Sequence, residues 1–229
     1  MKESVKVKRP QLWIIFTVVI VCILVEAFDA IHFLIYPIRT LPRTLLFVFI
    51  PLLFTLKTNG KTKLKEIFTP KIGKAPFLIG AAVYIGLLAV FFLLYFSFDF
   101  SNLSGELTHS TKGKIWLFFL GVFYISFINS FIEEWFFRYF ACYRLEQYSG
   151  KAVAYFFSSL MFALYHITIL KKWFNLPLTI VMLISLLGVG YLFVYLQDRY
   201  KTVFAPWIVH VSANLSILTM AFLCLIKMV

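Results

Sequence analysis

Apolar residues in this chain gather in runs too long for strands and too continuous for helices that keep one face in water. A helix rising about 1.5 Å per residue needs about 20 mostly apolar residues to cross a hydrocarbon core about 30 Å thick. Runs of that kind predict helices near 11–31, 41–56, 76–98, 114–147, 152–170, 176–197 and 202–226. The second is short, opens at Pro42 and contains Pro51, so it is expected to kink or to span only in part. The fold class is all-α: a polytopic membrane helix bundle of about seven transmembrane helices, six to eight allowing for uncertain ends.

Composition agrees with the pattern. Of 229 residues, 62% are hydrophobic and 14% charged, where soluble domains carry about 25% charged. No repeat or long linker divides the chain, which reads as a single transmembrane domain over 1–229. The first apolar run follows Lys2, Lys6, Lys8 and Arg9, as the core of a signal peptide would. It continues through Glu26 and Asp29 without a small-x-small cleavage pattern and reads as a retained helix.

The formal charge of +12 changes little, because the basic residues lie mostly between the apolar runs. There they set orientation and meet anionic headgroups; nucleic acid is not the expected partner. With the N-terminus in the cytoplasm, 15 of the 22 Lys and Arg fall on the inner side and 7 on the outer. The most basic stretch, KTNGKTKLKEIFTPKIGK, is expected to be a cytoplasmic loop lying on headgroups. Cys22, Cys142 and Cys224 are scattered, without CxxC spacing, which excludes a disulfide framework or thiolate zinc site. The Lys, Ile and Phe richness suits a low-GC bacterium, hence a bacterial cell membrane.

Against this apolar background a few polar residues stand out. Glu133, Glu134 and Arg138 lie in FIEEWFFRYF, His166 ends FALYH, and His210 and Asn214 lie in HVSAN. The remaining histidines, His32 and His109, fall near expected helix ends or in a loop. An ionisable group at the bilayer centre costs about 2.5–3.5 kcal/mol on insertion scales, so such groups pair, face inward and mark functional sites. Glu134 and Arg138 are spaced to pair on one helical face, which leaves Glu133 about 100° around the helix. If the chain folds back at Ser149–Gly150, Glu133 and His166 both lie about 25 Å from the turn, at similar depth on neighbouring helices. His210 and Asn214 share one face of the last helix and reach that depth if the preceding loop dips. Pro206 would kink or start that helix.

The motifs EEWFFR, FALYH and HVSAN have the forms EExxxR, FxxxH and HxxxN, in that order, each on its own membrane helix. The chain thereby resembles, over about 115–218, the CPBP family of intramembrane glutamic endopeptidases (CAAX proteases and bacteriocin-processing enzymes, also called Abi). GYL at Gly190–Leu192 and APWIVHVSANL are smaller echoes. Many members carry glycine after the motif arginine; Tyr139 stands here, which puts the packing of that helix in question.

The resemblance implies peptide-bond hydrolysis by activated water, with a hydrophobic or lipidated peptide or a membrane protein as substrate. Glu133 would be the general base, His166 would hold the same water, and His210 and Asn214 would donate to the oxyanion. Glu134 and Arg138 would form the supporting pair. CAAX-type processing, peptide-signal or bacteriocin maturation and self-immunity are the roles it offers. No cofactor is favoured, although Glu133, His166 and His210 form a donor set a zinc ion could use; the HExxH helix is absent. No GxSxG is present, and no cysteine neighbours a membrane histidine in sequence. The bland reading makes the polar residues interhelical glue. It would suit a non-enzymatic membrane partner of a protein such as a sensor kinase, or bacteriocin immunity by binding.

Overall fold

The computed structural model describes residues 9–29, 36–57, 68–69, 72–94, 105 and 114–226. His32, His109 and most of the basic stretch between Lys57 and Lys74 lie outside them. The described residues form helices and no strand. Seven helical stretches are long and apolar enough to cross a membrane. They are α1 (Pro10–Asp29), α2 (Tyr36–Lys57), α3 (Ala75–Leu94), α4 (Ile115–Ser149), α5 (Lys151–Leu164) continued by the short α6 (Ile167–Trp173), α7 (Leu176–Tyr200) and α8 (Phe204–Ile226). Phe16, Ile23, Leu78, Ile85, Leu93 and Ile184 are all exposed on the outside. A surface so apolar requires lipid, and the protein is an integral membrane protein.

Local chemistry sets the helix ends. Gly150, at φ +81°, makes the turn that folds α5 back on α4. Asn175 caps α7 by accepting the Leu178 N–H at 3.1 Å, and Lys201 ends it in the left-handed region. Pro206 falls in the first turn of α8, where no intrahelical donor is needed, so it starts that helix.

Two expectations need correcting. The second helix begins at Tyr36, so Pro42 and Pro51 both lie inside a helix that continues to Lys57. Side chains of α4 brace it where proline weakens the backbone ladder. Trp135 Nε1 donates to Val48 O at 3.3 Å, and Tyr139 and Thr55 share a hydroxyl bond of 2.6 Å. The fifth helix, expected to run unbroken to 170, breaks at Tyr165–His166 and restarts as α6. His166 adopts φ −92°, ψ 0°, outside the regular helical basin.

The core sits where α4 meets α2, α5 and α7, and holds Phe47, Phe136, Phe137, Phe140, Phe162, Phe193 and Leu196. Phe47 stacks on Phe136 at 4.1 Å. Tyr139 is wholly buried and stacks on Trp135 at 4.4 Å. Gly190 allows α7 to approach α5 closely: a Cβ there would lie 2.9 Å from Ser159 Cα. Before α8, Thr202 and Val203 are buried, so the chain dips into the bundle and carries His210 inward.

Candidate active site

Helix α4 is irregular where its acids stand. Tyr124–Asn129 and Trp135–Arg144 are π-helical, and between them Ser130–Glu134 is regular α-helix. Such wide turns are rare and recur at functional sites, because they rotate side chains that a regular ladder would hold in one stripe. Glu133 is only 2% exposed, and Glu134 and Arg138 not at all.

The break after α5 and the first half of α8 bring two histidines to Glu133. His166 Nε2 lies 3.9 Å and His210 Nε2 3.7 Å from the same oxygen, Oε2. The other oxygen, Oε1, accepts Asn129 Nδ2 at 2.5 Å and the Tyr165 hydroxyl at 3.2 Å. The carboxylate is thus held by one oxygen and presents the other to two imidazoles. His166 Nδ1 lies 2.7 Å from Phe162 O. A carbonyl only accepts, so Nδ1 carries the hydrogen, and a neutral ring would turn its Nε2 lone pair toward Glu133.

Glu134 completes a second arm. Its Oε1 is 2.8 Å from His210 Nδ1, and its Oε2 is 3.0 Å from Arg138 Nε. The Arg138–Glu134 contact has the distance of an ion pair, although its angles fall short of a hydrogen bond. The guanidinium lies over the rings of Phe162 at 4.4 Å and Phe193 at 5.2 Å. Both rings also border the histidines, Phe162 edge-on to His166 and Phe193 stacked on His210 at 5.1 Å. Positive charge, carboxylate, imidazole and carboxylate therefore follow in order from Arg138 to Glu133.

Glu133, Glu134, Arg138, His166 and His210 all meet in one cluster. Asn214 sits one turn beyond His210, and its Nδ2 donates to Ile125 O at 3.2 Å in the first π-segment. It ties α8 to α4 instead of bonding Glu133. Among the described residues no group of three or more His, Cys, Asp or Glu is arranged as a metal site.

Sequence reasoning missed Asn129, Tyr165 and Arg43. Asn129 is a polar residue one turn before Glu133, the spacing at which helical side chains meet. Tyr165 lies within FALYH beside the histidine that drew notice. Arg43 Nη1 donates to the Tyr165 hydroxyl at 2.8 Å, yet in sequence it passes for a loop charge beside Pro42.

A buried acid–histidine cluster at the meeting point of membrane helices can hold and activate a water. Residues 114–216 match the family model described as type II CAAX prenyl endopeptidase Rce1-like, a segment containing all three motifs. Over this segment, a little under half of the chain, the protein is similar to the CAAX-type intramembrane proteases that the motifs resemble. No curated protein and no solved structure matches.

Proposed function

We propose that the protein is an intramembrane endopeptidase that hydrolyses a peptide bond of a hydrophobic or lipidated peptide, or of a membrane protein, with water activated by Glu133. The observation that carries this reading is the convergence of His166 and His210 Nε2 on Glu133 Oε2, at 3.9 and 3.7 Å. Those separations suit one bridging water rather than direct hydrogen bonds. Such a water gives one hydrogen to Oε2 and one to His166 Nε2, leaving an oxygen lone pair for the scissile carbonyl.

As the water oxygen bonds to the carbonyl carbon, Glu133 takes the proton. When the tetrahedral intermediate collapses and the carbon–nitrogen bond breaks, that proton passes to the departing amine. His210, in its doubly protonated form, donates Nε2–H to the oxyanion while Nδ1–H stays on Glu134. The second amide hydrogen of Asn214 is the other oxyanion donor, the first being held by Ile125. Glu134 and Arg138 orient His210. The chemistry favours a metal-free route.

The test compares, by mass spectrometry, peptides and membrane-protein termini in cells making equal amounts of wild type or Glu133→Gln. Termini that only the wild type produces are expected. In isolated membranes their formation should fall at least about 10²-fold in the variant, the usual scale for a general base, and persist in a zinc chelator. Loss of activity on chelation would instead favour zinc held by Glu133, His166 and His210. Identical termini from both proteins, with any cellular effect intact, would leave a binding partner of another membrane protein.

A further inference from the structure

Helix α2 lies outside the matched segment, yet its Arg43 reaches the site through Tyr165. We propose that Arg43 is a positioning residue: it orients the Tyr165 hydroxyl, which holds Glu133 Oε1 and so turns Oε2 toward the two imidazoles. This rests on Glu133 being the general base.

The geometry supplies each link. Arg43 Nη1 donates to the Tyr165 oxygen at 2.8 Å, which leaves the single hydroxyl hydrogen to point at Glu133 Oε1, 3.2 Å away. A phenol has one hydrogen and accepts on its lone pairs, so a donor on one side fixes the direction of donation on the other. Asn129 fixes Oε1 from within α4, at 2.5 Å. The two donors come from different helices, and together they stop the carboxylate from rotating about its own axis. Tyr165 also needs a firm seat. Its ring packs between Phe47 of α2 and Phe137 of α4, at 5.4 and 5.5 Å, immediately before the break at His166.

Helix α2 is well placed to keep this register. Thr44 bonds Tyr124, Trp135 bonds Val48 O, and Thr55 bonds Tyr139, so the partners on α2 and α4 advance together and the helices run parallel. Displacement of α2 along α4 would carry Arg43 away from Tyr165 and loosen the base. The site thus extends to a helix that the family motifs do not include.

The test is a kinetic double-mutant cycle in purified protein. Its probe is an internally quenched peptide copying the sequence whose cleavage requires Glu133. Tyr165→Phe keeps the ring and should lower kcat about tenfold with KM unchanged, the scale of one hydrogen bond to a charged group. Arg43→Gln should lower kcat similarly, and Arg43→Lys should restore part of it. In the Tyr165→Phe background, Arg43→Gln should change kcat by less than about twofold, because residues acting in series do not add. Thr55→Val, which removes one of the three links between α2 and α4 and leaves those at Thr44 and Val48 to keep the register, should leave kcat as it was. Multiplying effects of Arg43→Gln and Tyr165→Phe, a change confined to KM, or an equal loss in Thr55→Val would each overturn the relay. Full activity in Glu133→Gln would instead remove the general-base reading beneath it.

Discussion

Glu134 and Arg138 are both fully enclosed, and each leaves the other a buried, uncompensated charge if it is removed. Breaking such a pair costs about 3–5 kcal/mol, whereas replacing both members with apolar residues of similar volume is often neutral. Arg138→Ala should therefore markedly lower the melting temperature in detergent. Glu134→Leu/Arg138→Met should recover most of that loss while remaining inactive, because His210 Nδ1 then has no carboxylate to orient it. Thermal unfolding and peptide cleavage measured on the same samples check both halves; an active double variant would make the pair purely structural. The pair itself was legible from its four-residue spacing, and the depth match of Glu133 with His166 from counting residues on each side of Gly150. What the spacing could not reveal is that His210 Nδ1 pairs with Glu134 Oε1, leaving only Nε2 for the oxyanion. Nor could it bring in Arg43, because a contact between residues 122 positions apart leaves no mark in either local pattern.

At the scale of helices, run length alone gave the seven spans. The break at Tyr165–His166 was hidden because FALYHITILKKW contains neither glycine nor proline to announce it. The π-turns of α4 were equally hidden, since backbone bonding of that kind is settled by packing rather than propensity. The small echo GYL does have a structural meaning, found at Gly190. A Cβ there would meet Ser159 Cα and Cβ at 2.9 Å and Ser159 O at 3.2 Å, so the backbone of α5 would have to move. Gly190→Ala should destabilise by about 1–3 kcal/mol, the usual range for overpacking. It should also lower cleavage, because α5 carries Phe162 and leads directly into His166. Gly188, two residues earlier, has nothing within 4 Å of an added Cβ, so Gly188→Ala should melt and cleave like wild type. Equal behaviour of the two variants would mean that α7 does not depend on close contact with α5.

For the whole molecule the open quantity is its direction in the bilayer. The helices alternate as serial crossings must: α2 runs parallel to α4, and α3 runs parallel to α8, with Gly80 against Ser212 and Tyr84 O accepting from Ser216. One crossing therefore fixes all the others. The inner and outer tallies of 15 and 7 basic residues include Arg138 and Arg43, which face the site instead of a loop. Removing one from each side leaves 14 against 6, so the bias survives the correction. The inner group includes Lys151 and Lys201, which grip Asp198 from two helices at 2.5 Å each and close one end of the bundle around α5 and α7. Single cysteines replacing Lys114 and Lys201, in a chain with Cys22, Cys142 and Cys224 changed to alanine, would report the direction on intact cells. A membrane-impermeant maleimide should label position 114 at once and position 201 only after the membrane is opened, placing the N-terminus inside and the C-terminus outside. The reverse pattern would put the Lys151–Asp198–Lys201 end outside and show that charge bias does not orient this bundle.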